Sequence, residues 1–373
     1  MSTRIFWCHP RLRDYRQNLF RLMSQTDTIQ FLFQMPGEAD QGLNCTYTKS
    51  RKIISTMRPI PLKDIQTLYR GIKWADVYIS SLIWSTYTIL GLAIAKLLGK
   101  KVIVCDETSF IFSDPKSKLR YVLARLLFWY IDAFFVLGEI HRTILIQLGA
   151  VSEKIFVANE YPGQIYHTIV PQAINLPVNE GTPIVLFLGR LIEIKGVEYL
   201  IKAFSLLEKV HEGAALLIVG DGPLRRELES LATTLGIRNV HFAGEITDIH
   251  QKAYLFQRSR VVVVPSITTK YDREGGPMIV LEALSAGKPV IGTTALGSNK
   301  TFIQDGVNGF VVPEKDAHAI YEKTKWLIES KYFSEKQVLE TFNRIRGHEY
   351  QVEILHAAIR FSMTHGKHAS LLI

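Results

Sequence analysis

The segment that decides the fold begins Val261-Val262-Val263-Val264-Pro265-Ser266 and passes through a polar loop from Ile267 to Arg273. It continues Glu274-Gly275-Gly276-Pro277-Met278-Ile279-Val280-Leu281-Glu282-Ala283-Leu284-Ser285-Ala286-Gly287-Lys288-Pro289-Val290. Four consecutive valines closed by a proline read as a strand buried on both faces. Pro277 suits the first position of a helix, and Gly287 with Pro289 ends that helix before a new strand at 290–292. Strand, loop, helix and strand in this order make a parallel βαβ unit, with its loop at the carboxyl end of the first strand. Free amides around Gly276 to Val280 can therefore face an anion. Glu282 falls in the most apolar part of the helix, where an unpaired carboxylate is costly, so a ligand explains it better than solvent does. Glu274 precedes the helix. The separation of the two acids suits contacts to two parts of one ligand, not a paired attack on one bond.

Outward from this segment the same alternation recurs. Residues 183–188, 215–219 and 240–243 read as strands, with helices over 196–209 and 224–235. Upstream, 5–8, 28–34, 75–80, 101–105 and 133–137 read as strands, with helices near 15–23, 83–98 and 117–130. Residues 159–182 contain Pro162, Pro171, Pro177, Gly163 and Gly181 and show no clean period. A chain of 373 residues suits two domains. The expected fold is α/β, with two Rossmann-like doubly wound domains facing a cleft, residues 1–165 and 166–345. One long helix is expected over 337–361, and residues 346–373 form a return helix and tail packed on the first domain.

Composition narrows the class further. The net charge is +9, and all of it lies in residues 1–150, which hold 20 Lys plus Arg against 11 Asp plus Glu. A basic surface there can meet anionic lipid or an acidic acceptor, while no recognisable nucleic-acid motif accompanies it, so nucleic acid is not an expected partner. Cys8, Cys45 and Cys105 are odd in number and lack metal-ligand spacing, which points to a reducing cytoplasm. The most apolar stretches, 82–99 and 121–138, are interrupted by Lys96, Arg125 and Asp132, so neither reads as a membrane span.

Two further loops carry chemistry. In Phe187-Leu188-Gly189-Arg190-Leu191-Ile192-Glu193-Ile194-Lys195-Gly196, a strand turns tightly at Gly189 and a helix begins near Gly196. Arg190 and Lys195 bracket the loop as a bidentate donor and a point charge, a diphosphate site or else an ordinary charged βα loop. Val219-Gly220-Asp221-Gly222-Pro223 permits close approach of a ligand, but it is equally a plain tight turn. It lacks the third glycine of the dinucleotide fingerprint, which argues against a nicotinamide-dependent oxidoreductase.

At these residues the chain resembles the retaining glycosyltransferases of GT-B fold known as family 4, or glycosyl transferases group 1. The resemblance rests on Glu274, seven residues and Glu282, followed by Ala283-x-x-x-Gly287-x-Pro289, and on the loops 189–196 and 220–223. It extends to Phe242-Ala243-Gly244 and Asp305-Gly306-Val307-Asn308-Gly309-Phe310. It covers roughly 180–320 and is looser over 70–160. It implies that Arg190 and Lys195 bind the diphosphate of a nucleotide-sugar donor and stabilise its departure. Glu274 would contact the transferred sugar and Glu282 the ribose. Gly189, Gly220, Ile246, Gly275, Gly276, Pro277, Met278 and Ile279 would line the donor site. Retention, front-face attack within an ion pair, and a saccharide or glycolipid acceptor bound by the first domain are likewise implied. No Asp-x-Asp occurs, so no metal or other cofactor is expected.

The chain also departs from the family pattern. Cys8-His9-Pro10-Arg11-Leu12-Arg13 stands where many relatives have a glycine-rich loop, which leaves His9 and Arg11 as acceptor-side candidates. Where relatives carry a His, this chain reads Val104-Cys105-Asp106-Glu107-Thr108, so Asp106 or Glu107 is expected to take the polar role. Lys300 replaces a common acid. A catalytically degenerate GT-B subunit acting as a binding partner is the alternative reading. It is favoured by the two substitutions and opposed by the intact Arg190, Lys195, Glu274 and Glu282. The enzyme is expected in the cytoplasm, on the inner membrane face through its basic first domain, making cell-surface polysaccharide or glycolipid.

Overall fold

The computed structural model describes residues 3–11, 14–35, 45–47, 62–81, 86–106, 125–270, 274–330 and 334–365. The chain divides into two compact units. One contains Met1–Gly163 with Arg346–Ile373, and the other is Gln164–Ile345.

Unit 1 is built on a seven-stranded sheet. In chain order its strands are β1 (Arg4–Arg11), β2 (Thr28–Met35), β3 (Cys45–Tyr47), β4 (Val77–Ser81), β5 (Lys101–Asp106), β6 (Ala133–Leu137) and β7 (Ile155–Ala158). Their order across the sheet is β3-β2-β1-β4-β5-β6-β7, all parallel, with the direction of winding reversed between β1 and β4. Alternate residues serve opposite faces. Phe6, Tyr78, Val102, Val104 and Phe134 pack under α2 (Leu62–Trp74), α3 (Thr86–Leu97) and α4 (Glu139–Gln147). Ile5, Trp7, Val77, Ile79, Ile103 and Phe135 pack under α1 (Asp14–Thr26) and the last helix of the chain. Both faces are apolar, which is why the strands read as continuous hydrophobic runs.

Unit 2 repeats the plan with β8 (Ile184–Leu188), β9 (Ala215–Val219), β10 (Val240–Gly244), β11 (Ser259–Val264), β12 (Val290–Thr293) and β13 (Gly309–Val312). The order is β10-β9-β8-β11-β12-β13, and the winding reverses between β8 and β11. Helices α5 (Val197–Glu208), α6 (Arg225–Thr234), α7 (Ile249–Arg258) and α8 (Met278–Ser285) connect strands, and α9 (Ala317–Glu329) follows the last of them. At a reversal the loops leave neighbouring strands on opposite sides of the sheet, which opens a crevice at the carboxyl ends.

The single helix expected over 337–361 is two helices, α10 (Glu335–Phe342) in unit 2 and α11 (His348–His365) in unit 1. Phe342 is buried in unit 2, whereas Leu355, Ala358 and Ile359 belong to the core of unit 1. The break holds Asn343 and Gly347, residue types that end helices, and the buried face changes phase across it because two different cores are served. Residues 117–124 of the expected 117–130 helix lie outside the described residues; a helical turn is present at 125–128. Among the described residues no helix is long and apolar enough to cross a membrane.

Candidate functional site

The site-bearing loops of unit 2 are joined backbone to backbone. The Gly189 amide donates to Val219 O at 3.0 Å, and the Gly220 amide donates to Gly244 O at 2.7 Å. Gly220 has φ 135°, and a Cβ there would lie 1.9 Å from Gly189 O, so only glycine allows β8 and β9 to end in contact. The Leu191 amide donates to Asp221 O at 2.9 Å, and Leu191 O accepts from the Leu224 amide at 3.1 Å. This pins both sides of Arg190. Its side chain is exposed and has no hydrogen bond or ion pair among the described residues.

The loop after β8 is also stitched to the loop after β11, across the winding reversal. Gly196 is left-handed at φ 59°, and a Cβ there would sit 2.2 Å from Pro265 O. The Ile267 amide donates to Ile194 O at 2.9 Å. Lys195, in the 3-10 turn Glu193–Lys195, thereby reaches Glu274, and its Nζ donates to Glu274 Oε1. The two side chains are 14% and 12% exposed. Ser266 Oγ donates to Glu274 Oε2 at 2.5 Å, and Ser266 O accepts from Thr293 Oγ1 at 2.5 Å. The Glu274 carboxylate is therefore held in one orientation from two sides. Gly297 fixes its backbone, since a Cβ there would lie 1.6 Å from Gly275 O. Thr268 anchors the same loop by donating its amide and hydroxyl to Glu314, at 2.5 and 3.0 Å.

Pro277 is the N-cap of α8 and not its first helical residue; its ψ of 119° keeps it extended. The Val280 amide turns back to Pro277 O at 3.1 Å. The amides of Met278 and Ile279 have no acceptor among the described residues, and the first turn holds no acid to compete for an anion. Glu282 lies farther along α8. Burial pushes its carboxyl above the ordinary glutamate range, and the Lys252 ammonium on α7 pulls it partly back. No hydrogen bond to that carboxylate is present among the described residues. Ile246 is half-buried between β10 and α7.

Lys195 and Glu274, expected to serve different parts of a ligand, are thus partners of each other. Gly189 and Gly220 touch, as do Gly275 and Gly297. Three contributors were not singled out from the sequence: Ser266, Lys252 and Gly297 as a contact. Ser266 had one signal, a polar residue at the very end of a buried strand. In unit 1, His9 and Arg11 lie toward the carboxyl end of β1, paired with Phe33 and Met35 of β2, and Asp106 ends β5 opposite Val136. Their side chains and all of Glu107 lie outside the described residues. Among the described residues no three His, Cys, Asp or Glu side chains are grouped to hold a metal. The arrangement offers cations and free amides to an anion, and two carboxylates to hydroxyls.

Residues 172–344 match the model of the family described as glycosyl transferases group 1. An uncharacterized glycosyltransferase of Methanocaldococcus jannaschii is 36% identical over 147 residues, 39% of this chain and 36% of that protein. The D-rhamnosyltransferase WbpZ of Pseudomonas aeruginosa is 34% identical over 150 residues, 40% of this chain and 37% of that protein. The chain thus matches little more than a third of the length of these relatives. A Campylobacter jejuni alpha-1,4-N-acetyl-D-galactosaminyltransferase, named for an undecaprenol-linked acceptor, is 26% identical over 281 residues, 74% of this chain and 71% of that one. Among solved structures, Anabaena Alr3699/HepE in complex with UDP superposes with a TM-score of 0.72 at 16% identity, covering 96% of this chain and 100% of that one. The lipopolysaccharide outer core galactosyltransferase WaaB gives 0.71 at 17% identity, covering 96% and 99%. At this identity the likeness establishes the fold, which is the two-unit Rossmann-like GT-B fold.

Proposed function

We propose that the chain is a retaining, metal-independent glycosyltransferase of family 4. It moves a hexose-type sugar from a nucleotide-diphosphate sugar to a saccharide or lipid-linked acceptor in cell-surface polysaccharide or glycolipid synthesis. The observation that carries this reading is the Lys195–Glu274 pair across the winding reversal of unit 2, flanked by the unpartnered Arg190 and the free amides of α8. Departure of a nucleoside diphosphate is the difficult event, and fixed positive charge aimed at it is the largest available stabilisation. Arg190 and the α8 amides supply charge with no competing partner. Lys195 is neutralised by Glu274 until a diphosphate arrives; it then bridges acid and phosphate, which brings Glu274 beside the sugar that the phosphate carries. Ser266 keeps the carboxylate aimed during that exchange. Glu282, half-buried and with its pKa raised by desolvation, accepts hydrogen bonds from ribose hydroxyls that replace its lost water.

Unit 1 takes the acceptor in this reading, with His9, Arg11, Asp106 and Glu107 on that side, and its basic charge rests on an anionic membrane at the inner cell face. The relative named for an undecaprenol-linked acceptor and the structural neighbour named for lipopolysaccharide outer core support the acceptor class, and the UDP complex of another neighbour makes UDP-sugars the first donors to test. Thermal-shift screening with UDP-, GDP- and ADP-sugars identifies the donor, and hydrolysis of that donor is then compared between wild type, Arg190→Ala and Glu274→Ala. Each substitution is expected to lower turnover by roughly 100-fold or more. Equal background rates in all three proteins would instead favour the degenerate binding subunit.

A further inference from the structure

We propose that the amino-terminal edge of the unit 1 sheet, at the starts of β5, β6 and β7, is a docking surface for an anionic lipid bilayer. This locates the membrane contact included in the preceding reading, but it stands on observations of its own. Three turns meet at this edge, joining α3 to β5, residues 128–132 to β6, and α4 to β7. The strands they enter are neighbours in the sheet. Side chains tie the turns together. Lys96 Nζ donates to Asp132 Oδ2 at 2.6 Å, and Lys154 Nζ donates to Ile131 O at 2.9 Å. Arg125 lies against Gly149, where a Cβ would be 2.7 Å from its Nε.

Each turn carries an apolar side chain into solvent. Leu97 is 87% exposed, Trp129 83%, Leu126 59%, Tyr130 57% and Val151 56%. Five large exposed apolar residues on one edge are more than scattered surface hydrophobics. Leu97, Val151 and the group Leu126, Trp129 and Tyr130 stand on three separate turns, so they can enter a headgroup layer independently, with Trp and Tyr at the level those rings prefer. Cations ring them: Lys96, Lys100, Lys101, Lys154 and Arg125. Asp132 serves both Lys96 and Lys101, the latter at 3.9 Å, and Asp76 is occupied by Arg4 at 2.7 Å. Glu153 is the exposed acid of this edge. Burial pulls the Lys154 ammonium down, Asp132 opposes this, and Lys96 adds to it.

Charge complementarity selects the occupant. A second copy docked through the same edge would bring cation against cation. An acidic protein would answer the charges but would need recesses for three separate apolar tips. An anionic bilayer answers both. The edge is opposite the strand carboxyl ends of this unit, so docking there leaves those ends open.

Flotation with phosphatidylcholine vesicles, with and without phosphatidylglycerol, tests the assignment on the full chain. Wild type is expected to float only with the anionic vesicles. The double substitution Trp129→Ser/Tyr130→Ser should reduce partitioning about tenfold or more through lost apolar insertion. Lys100→Glu should reduce it roughly 20-fold, since each cation near such a surface contributes about a factor of five. Lys209→Glu, an exposed lysine of unit 2, should leave it unchanged. Donor hydrolysis in lipid-free solution should be equal in all these proteins. Absence of donor hydrolysis in all of them, wild type included, would count against the glycosyltransferase reading and not against the surface. Failure of wild type to float, or equal flotation of both unit 1 variants, overturns the proposal. So does a dimer in lipid-free sedimentation that Trp129→Ser/Tyr130→Ser dissociates.

Discussion

Glu282 is where folding and binding pull in opposite directions. An acid whose pKa is raised in the folded state holds its proton to higher pH than in the unfolded chain. The folded state therefore loses stability as pH rises from the ordinary glutamate value to the raised one. Glu282→Gln removes that charge while keeping shape. The variant is expected to unfold at a higher temperature than wild type at neutral pH, with the difference vanishing below the ordinary glutamate range. It should also bind nucleotide roughly tenfold or more weakly, the worth of a hydrogen bond to a charged group. Melting curves across pH with calorimetric nucleotide titration check both halves. A variant that melts lower at neutral pH would mean that Lys252 outweighs burial. None of this balance was legible beforehand. The apolar setting of Glu282 was readable from its neighbours, but Lys252 lies 30 residues away in the sequence and reaches it only through the fold.

At the scale of elements, the strand-end loops of unit 2 interlock through glycine, and the interlock sets where Glu274 points. Gly297, at φ −68° and ψ −122°, offers a direct test. Gly297→Ala sets the new Cβ against a carbonyl oxygen 1.6 Å away. Displacing the Glu274–Gly275 backbone is expected to cost about 2 kcal/mol in unfolding free energy, with a matching loss of nucleotide-sugar affinity. Gly213→Ala meets nothing within 4 Å and should do neither. The sheets themselves were legible, because strands covered on both faces leave unbroken apolar runs between helical periods. The break between α10 and α11 was missed, although Phe342 and Leu355 would fall on nearly opposite faces of one continuous helix, a phase shift that marks two different cores. Ser266 escaped notice for a related reason: its hydroxyl matters through Glu274, eight residues on, past a loop whose path the sequence does not reveal.

For the whole molecule, the decisive feature is that α11 closes one face of the unit 1 sheet. Leu355, Ala358 and Ile359 complete the apolar layer over Ile5, Val77 and Ile103, and Gln351 donates to Asn159 O at 2.8 Å. Stopping the chain after Ile345 should therefore unfold unit 1 selectively while unit 2 remains a cooperative, nucleotide-responsive body. Limited proteolysis with mass mapping, alongside a nucleotide thermal shift, reads both; resistance of unit 1 to cleavage would mean that α11 is dispensable. The same feature dictates an order in time. On the ribosome the sheet of unit 1 is made first, yet its covering helix emerges only after all of unit 2 has been synthesised. The second-made unit can finish folding before the first, and the nascent first unit waits with an apolar face bare. That interval, more than the stability of the finished protein, is when this chain is most exposed to aggregation and most dependent on chaperones.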